Sequence, residues 1–293
     1  MSELVDCINS LSAKDIIKSI AKTANGTPFY LQTVGAGGFS AEYQAVYDSF
    51  VTPPDAAIAA EQDIMVRALV AAGLWAKMDL FYLCAQNNGV NALLNWLNPG
   101  TFDGTLANKL SVDPSFTAFE GFYNTGNGYI MTGYNSSTDA INVSQNDCAT
   151  YLGTYQDIQD DGFMSGSSIG VNFSHGAIPR RTNNLAYGYL NSNVEASVLG
   201  STGKQHFGFR RSGANDMRWA INKVFEDETG ASGVPNNLEL YLLCQNDGAV
   251  ATGFSSNTLM YFIIIQNISD ADSDILQDAM EAYLDSQGKG LLP

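Results

Sequence analysis

Lys204-Gln-His-Phe-Gly-Phe-Arg210, then Ser212-Gly213, then Arg218-Trp-Ala-Ile-Asn-Lys-Val-Phe225 is the stretch that decides the fold. Phe207 and Phe209 alternate with His206, Gly208 and Arg210, and Trp219 and Ile221 alternate with Arg218 and Asn222. A period of two places one set of side chains on each side of a strand, and Ser-Gly between two such runs is turn chemistry. Working outward, the same texture runs from about residue 91 to 266. Strand candidates fall at 116–122, 129–134, 149–155, 168–173, 186–190, 204–210, 218–225, 238–244 and 258–266. They are punctuated by Asn98-Pro-Gly100, Asp103-Gly104, Asn127-Gly128, Asp161-Gly162 and Asp247-Gly248. Many short strands separated by turns point to a sandwich or barrel, and too little chain lies between them for the helices of a parallel α/β sheet.

Both flanks read as helical. Leu4, Val5, Ile8 and Leu11, then Ser12-Ala-Lys-Asp15 and Ile16, Ile17 and Ile20, follow helical spacing until Asn25-Gly26-Thr27-Pro28. Gly35-Ala-Gly37-Gly38 lacks the spacing of a dinucleotide fingerprint. Thr52-Pro-Pro-Asp55 starts a helix expected over 56–78, and Ser269-Asp-Ala-Asp272 caps another expected over 269–287, with Gly288 at its end. The reading divides the chain into 1–54, a helical attachment or assembly segment; 55–90, a helix and connecting strand; and 91–293, the sandwich with its C-terminal helix. It expects removal of residues 1–50 to leave a folded sandwich.

Composition limits the function. The 293 residues carry 14 Lys and Arg against 30 Asp and Glu, a net charge of −16, and only 15% are charged. Hydrophobic residues make up 45%, which excludes a disordered chain. So few cations exclude a nucleic-acid partner, because that binding relies on clustered Lys and Arg. Met1-Ser-Glu-Leu-Val-Asp6 has no apolar run of secretory length, and the longest apolar run, 259–265, is too short to span a bilayer. Neither secretion nor membrane insertion is expected. A surface rich in Asn, Ser, Thr and Gly on a chain without a secretory address fits a particle assembled in a host cytoplasm. The four cysteines, Cys7, Cys84, Cys148 and Cys244, are far apart and read as buried thiols rather than a disulfide or zinc set.

Catalytic signals are weak. His175 and His206 lack a nucleophile elbow or an H-E-x-x-H and read as structural. A glycosidase needs two carboxylates, and the E-x-D-x-x-E strand pattern is absent. Glu226-Asp227-Glu228 reads as a solvated hairpin tip, and Trp75 and Trp96 as buried at the helix-to-sandwich junction. Asp270, Asp272 and Asp274 lack the glycine and final glutamate of a calcium loop, and Asp270 and Asp272 read as helix-cap acids. No cofactor is expected, with a structural calcium near Asp139 or Asp157-Asp160-Asp161 kept as a minor alternative. Sequons at Asn135, Asn142, Asn172 and Asn267 read as Asn-rich turns. Aromatic rings that stack on sugars, and arginines that bond their hydroxyls, make Tyr123, Tyr129, Tyr134, Arg210, Arg211, Arg218, Trp219 and Tyr241 the glycan-contact candidates.

Several stretches, in order, resemble structural proteins of phages infecting Bacteroidetes. They are Leu69-Val-Ala-Ala-Gly-Leu-Trp-Ala-Lys-Met-Asp-Leu-Phe-Tyr82, Asn95-Trp-Leu-Asn-Pro-Gly-Thr-Phe102, Glu120-Gly-Phe122, Asn124-Thr-Gly-Asn-Gly-Tyr-Ile-Met-Thr-Gly-Tyr134, Asn142-Val-Ser-Gln-Asn146, Tyr151-Leu-Gly-Thr-Tyr155, Val234-Pro-Asn-Asn-Leu-Glu-Leu-Tyr-Leu-Leu-Cys244 and Ile268-Ser-Asp-Ala-Asp-Ser-Asp-Ile-Leu-Gln-Asp-Ala-Met-Glu-Ala-Tyr-Leu284. The resemblance covers about 55–290. It implies a mainly β, concanavalin A/laminin G-like antiparallel sandwich (a jelly roll) with helices packed on it. It also implies a virion-surface role as head fibre, spike, decoration or tail-fibre subunit. The partners would then be other virion proteins, copies of itself (a trimer is expected) and a host-surface glycan. No catalytic residues carry over. The alternatives are a glycan-degrading enzyme on the same sandwich and a cellular sugar-binding protein.

Overall fold

The computed structural model describes residues 38–156, 158–170, 172–192, 195–199 and 204–292. Three helices, α1 (Ala41–Tyr47), α2 (Ala56–Ala71) and α3 (Asp270–Ser286), accompany seventeen strands among these residues. In chain order the strands begin with β1 (Met78–Leu83), β2 (Thr105–Asn108), β3 (Ser115–Thr117), β4 (Gly121–Tyr123), β5 (Gly128–Met131) and β6 (Cys148–Thr154). Next come β7 (Ser165–Ile169), β8 (Asn172–Ile178), β9 (Leu185–Ser192), β10 (Ala196–Leu199), β11 (Gln205–Arg211) and β12 (Asp216–Ile221). The last are β13 (Val224–Thr229), β14 (Tyr241–Leu242), β15 (Gln245–Asp247), β16 (Val250–Thr252) and β17 (Thr258–Ile265). The first sheet runs β13-β12-β11-β6-β17-β4-β3, with β1 also on β17. The second runs β10-β9-β8-β7-β14-β5-β2, with β15 on β7 and β16 on β15. All pairings between these strands are antiparallel except β15 with β7, so the expected two-sheet sandwich is what the chain forms.

The longest apolar run is β17, and its burial explains why it does not alternate. Phe262 and Ile264 face the second sheet among Leu152, Phe207 and Leu242. Tyr261, Ile263 and Ile265 face the helices among Leu69, Leu276, Met280 and Tyr283. A strand covered on both faces has no solvent side on which to place polar residues. β1 repeats the pattern with Leu80 and Tyr82 inward and Phe81 and Leu83 toward the helices. The sandwich therefore begins at residue 78 rather than 91, because β1 pairs along β17.

The start of the body also moves. Ser40 caps α1, and Tyr43, Val46 and Phe50 belong to the core under the helices. Residues 39–50 are part of the folded body, so truncation through residue 50 would remove core side chains. Helix expectations for residues 1–37, and Cys7, lie outside the described residues. α2 starts at the Asp55 cap as expected but stops at Ala71 rather than Met78. Gly73 takes φ +69°, and the N–H groups of Gly73 and Leu74 close back on Val70 and Leu69. The closing helix matches its reading: Ser269 caps through the Asp272 N–H, and Gly288 takes φ +69° past its end.

Three strand candidates contain unforeseen reversals. Within 116–122, Phe119 at φ 62° and Gly121 at φ 104° turn β3 back onto β4, and a Cβ at Gly121 would overlap the Leu259 carbonyl. Within 168–173, the chain reverses at Gly170, so β7 and β8 replace one strand. Within 218–225, Asn222 and Lys223 take φ 48° and 63°, the two left-handed positions of a tight hairpin. Glu226-Asp227-Glu228 is consequently not a tip but part of the edge strand β13, paired along β12.

Candidate functional site

The outer face of the second sheet carries a row of aromatic rings. On β5 and β14, Ile130 and Leu242 point into the sandwich core, which puts Tyr129, Met131 and Tyr241 on the outside. Tyr129 and Tyr241 stand 4.8 Å apart between ring centroids, and Tyr129 is 6.3 Å from Phe254. Phe254 pairs as an isolated parallel bridge with Phe163, whose N–H bonds the Gly253 carbonyl at 2.7 Å. From Phe163 the row continues to Phe173 at 5.7 Å, and Phe173 stacks on Tyr189 at 4.1 Å. Tyr187 follows on the same strand, with the Arg181 guanidinium 3.9 Å over its ring. No helix residue belongs to either cluster. The rings shield one another: Phe163, Tyr187, Tyr189 and Tyr241 keep 5–8% exposure, while Tyr129, Phe173 and Phe254 are half-buried.

A polar fringe borders the rings. Arg181 pairs with Glu195 at 3.1 Å and approaches Asp161 at 3.9 Å. The Tyr189 hydroxyl donates to Glu195, and the Asn183 amide donates to the Tyr187 hydroxyl at 2.6 Å. Burial, then the Glu195 hydrogen bond, raises the Tyr189 phenol above its ordinary range. Burial and the charge of Glu239 push Tyr241 up to about 12, and Tyr129 is raised by burial, Cys244 and Glu239. Burial also raises the Glu239 carboxyl, against the Gly133 N–H that bonds it. Neutral phenols next to amides and carbonyls can stack on an apolar ligand face and exchange hydrogen bonds at its rim.

The structure separates the eight sequence candidates. Tyr129 and Tyr241 come together in the row. Tyr123 is half-buried on β4 of the other sheet. Tyr134 is buried, its hydroxyl donating to Asp79 at 3.3 Å and its ring edge-on to Phe102. Arg211 is fully buried. Its guanidinium donates to the carbonyls of Leu190, Gly213, Ala214 and Gly230, so it ties hairpin loops together and reaches no surface ligand. Arg210 is buried against the Ile268 carbonyl and Asp270, and half-exposed Arg218 pairs with Asp270 at 2.6 Å and with Asp227. These two arginines anchor the start of α3. Trp219 is 1% exposed between Phe207 and Phe209, at the floor of a groove of about 240 Å³ walled by Val198, Leu199 and Val224 at the open edge of the sandwich. The other rings of the row are weak signals in sequence. Phe163 and Phe254 lie outside any alternating run, and Phe173 sits at the end of a strand candidate.

Other chemical groups hold the fold together. His175 is buried, with Nδ1 2.9 Å from the Thr150 hydroxyl and Nε2 unpartnered. His206 sits between the Tyr261 hydroxyl at 2.7 Å and Glu281 at 2.8 Å. Cys84, Cys148 and Cys244 are buried free thiols, and burial pushes Cys148 up to about 12. Trp96 is buried at the helical junction, and Trp75 is half-buried. Asp160 is occupied by the Ser256 and Gly162 N–H groups, and Asp139 by the Asn135 N–H. Asp157 lies outside the described residues. Among those described, no group of three His, Cys, Asp or Glu side chains could hold a metal ion, and no helix is long and apolar enough to cross a membrane.

No protein-family model matches the chain, and no curated protein matches it in sequence. Solved structures share its fold. A Trypanosoma rangeli sialidase variant with trans-sialidase activity aligns at TM-score 0.51 and 11% identity, over 75% of this chain and 39% of the sialidase. Domain 4 of an extracellular arabinanase from Geobacillus stearothermophilus, in complex with arabinotriose, aligns at 0.48 and 12%, over 68% of this chain and 98% of that domain. The binding domain of botulinum neurotoxin serotype D aligns at 0.49 and 13%, over 73% and 53%. The chain thus spans well under two thirds of the sialidase and of the toxin domain. At such identities the likeness is one of fold.

Proposed function

We propose that this protein is a glycan-binding β-sandwich displayed on a phage particle as a head fibre, spike, decoration or tail-fibre subunit. The observation that carries the binding role is the aromatic row of the second sheet, left uncovered by any helix and bordered by Arg181, Asn183 and Glu195. Sugars present apolar ring faces and hydroxyl edges, and this combination of stacked rings and neutral hydrogen-bonding groups suits both. The carboxylates beside the row are engaged, Glu195 by Tyr189 and Arg181, and Glu239 by the Gly133 N–H, which favours binding over hydrolysis. The particle assignment rests on the resemblance over residues 55–290, and the trimer goes with it.

Binding is tested by titrating host-surface polysaccharide fragments into the wild type and into Tyr129→Ala and Phe254→Ala. Each substitution is expected to weaken binding by about tenfold, the worth of one stacked ring at about 1 kcal/mol or somewhat more. Tyr123→Ala, on the other sheet, is expected to leave it unchanged. Equal affinity across all four proteins would overturn the assignment of the row. For the particle role, mass spectrometry of purified virions should find this chain, and its absence from them would remove that role.

A further inference from the structure

Resting on that glycan reading, we infer that the row selects an extended, uncharged glycan lying across the strands and discriminates against acidic sugars. The length follows from topology. The row passes from Tyr129 on β5 through Tyr241 on β14 and Phe163 beside β7 to Phe173 on β8 and Tyr189 on β9. Those are four neighbouring-strand steps of about 4.8 Å each, or about 19 Å in all. Such a track is matched by several linked sugar units. A single sugar covers only one of its two ring clusters.

The charge preference follows from the fringe. A site for acidic sugars needs a guanidinium or ammonium free to meet a carboxylate. Arg181 is the cation seated on the row, and it is committed: it lies over Tyr187, pairs with Glu195 and is 3.9 Å from Asp161. Lys109 reaches the row's other end, where its ammonium bonds the Ala251 carbonyl at 3.3 Å, and Glu239 lies beside Tyr129 and Tyr241 there. These charges sum to two positive against three negative, on a chain of net charge −16. A polyanion therefore approaches against the field of the whole protein, and the guanidinium on the row is held by Glu195 and Tyr187. Recognition is left to ring stacking and to neutral donors and acceptors such as Asn183.

The test is calorimetric titration of the full chain with neutral oligosaccharides from disaccharide to hexasaccharide, and with uronic-acid oligosaccharides of matched length. Affinity for the neutral series should rise with length until the track is filled. The acidic series should bind about tenfold or more weakly at about 20 mM salt, with the gap narrowing at about 500 mM as the field is screened. Glu195→Gln, which loosens the hold on Arg181, should strengthen acidic binding relative to neutral binding. Acidic oligosaccharides that bind as tightly as neutral ones at low salt would overturn the charge preference, and a disaccharide that binds as tightly as a hexasaccharide would overturn the extended track. Either result leaves the glycan-binding reading standing, whereas failure of every oligosaccharide to bind overturns both.

Discussion

The two outer faces of the sandwich have opposite fates. The first sheet buries its outer side under α1, α2 and α3, where Phe81, Trp96, Tyr261 and Ile263 meet Tyr43, Leu69, Met280 and Tyr283 at 0–1% exposure. Several polar groups enter this layer as hydrogen-bonded pairs. The Tyr43 hydroxyl donates to Gln62, the Gln62 amide donates to Gln86, and the Tyr283 hydroxyl donates to the Ala85 carbonyl. The second sheet has fewer rings outside, and they pack on one another, on smaller neighbours such as Ile178 and Ala251, and on a polar fringe. Aromatic rings are sealed under helices on one side, and on the other no helix covers them.

The comparison can be broken from the covered side first. Truncation through residue 50 removes Tyr43, Val46 and Phe50 and should cost about 5 kcal/mol in urea unfolding. Stability equal to that of the full chain would show that α1 is dispensable. Next in size, Trp96→Ala, whose ring lies within 6.1 Å of Tyr43, Phe50 and Phe81, should cost about 4 kcal/mol. Tyr129→Ala on the open face should cost about 1 kcal/mol or less. Similar costs at the two positions would mean that the faces are not different in kind.

Between the sheets, His175 on β8 meets Thr150 on β6, and burial lowers its imidazole to about 4. The unfolded chain takes up this proton near pH 6.5, and the folded chain does so only near 4. The neutral imidazole's share of stability is therefore full above about pH 6.5 and is lost as pH falls toward 4, by about 3 kcal/mol in total. His175→Gln should flatten the stability profile between pH 6.5 and 4 in chemical denaturation, and an unchanged slope would contradict the assignment. The smallest effect is expected at the start of α3. Arg218 lowers the carboxyl of the partly exposed Asp270, with Arg210 assisting, and Asp270→Asn should cost about 0.5–1 kcal/mol at neutral pH and progressively less as the pH falls through the acid range.

What the sequence reveals follows from how local each signal is. Alternation and turn residues expose the sandwich, and Ser269 and Asp55 expose helix starts, because those determinants lie within a few residues of one another. The Asn222-Lys223 hairpin is hidden because neither residue is a glycine and the apolar texture continues through it. Arg211 reads as a surface arginine because the carbonyls that hold it come from strand β9 and from the loops at residues 213–214 and 230. The same is true of the candidate site. Tyr129 and Tyr241 could be picked out as rings in β-rich sequence, but 112 residues separate them, and Phe163 and Phe254 join them only through a bridge between loops.

The entry of the chain into this body sets a direction. Gly38 and Ser40 are held on α2, the Gly38 carbonyl by Arg67 and the Ser40 N–H and hydroxyl by Asp63. A helical layer and the sandwich each add about 10 Å, so the polypeptide arrives about 20 Å from the aromatic row, on the opposite side of the molecule. The first described residues and the aromatic row therefore occupy opposite faces of the body, with the whole helical layer and both sheets between them.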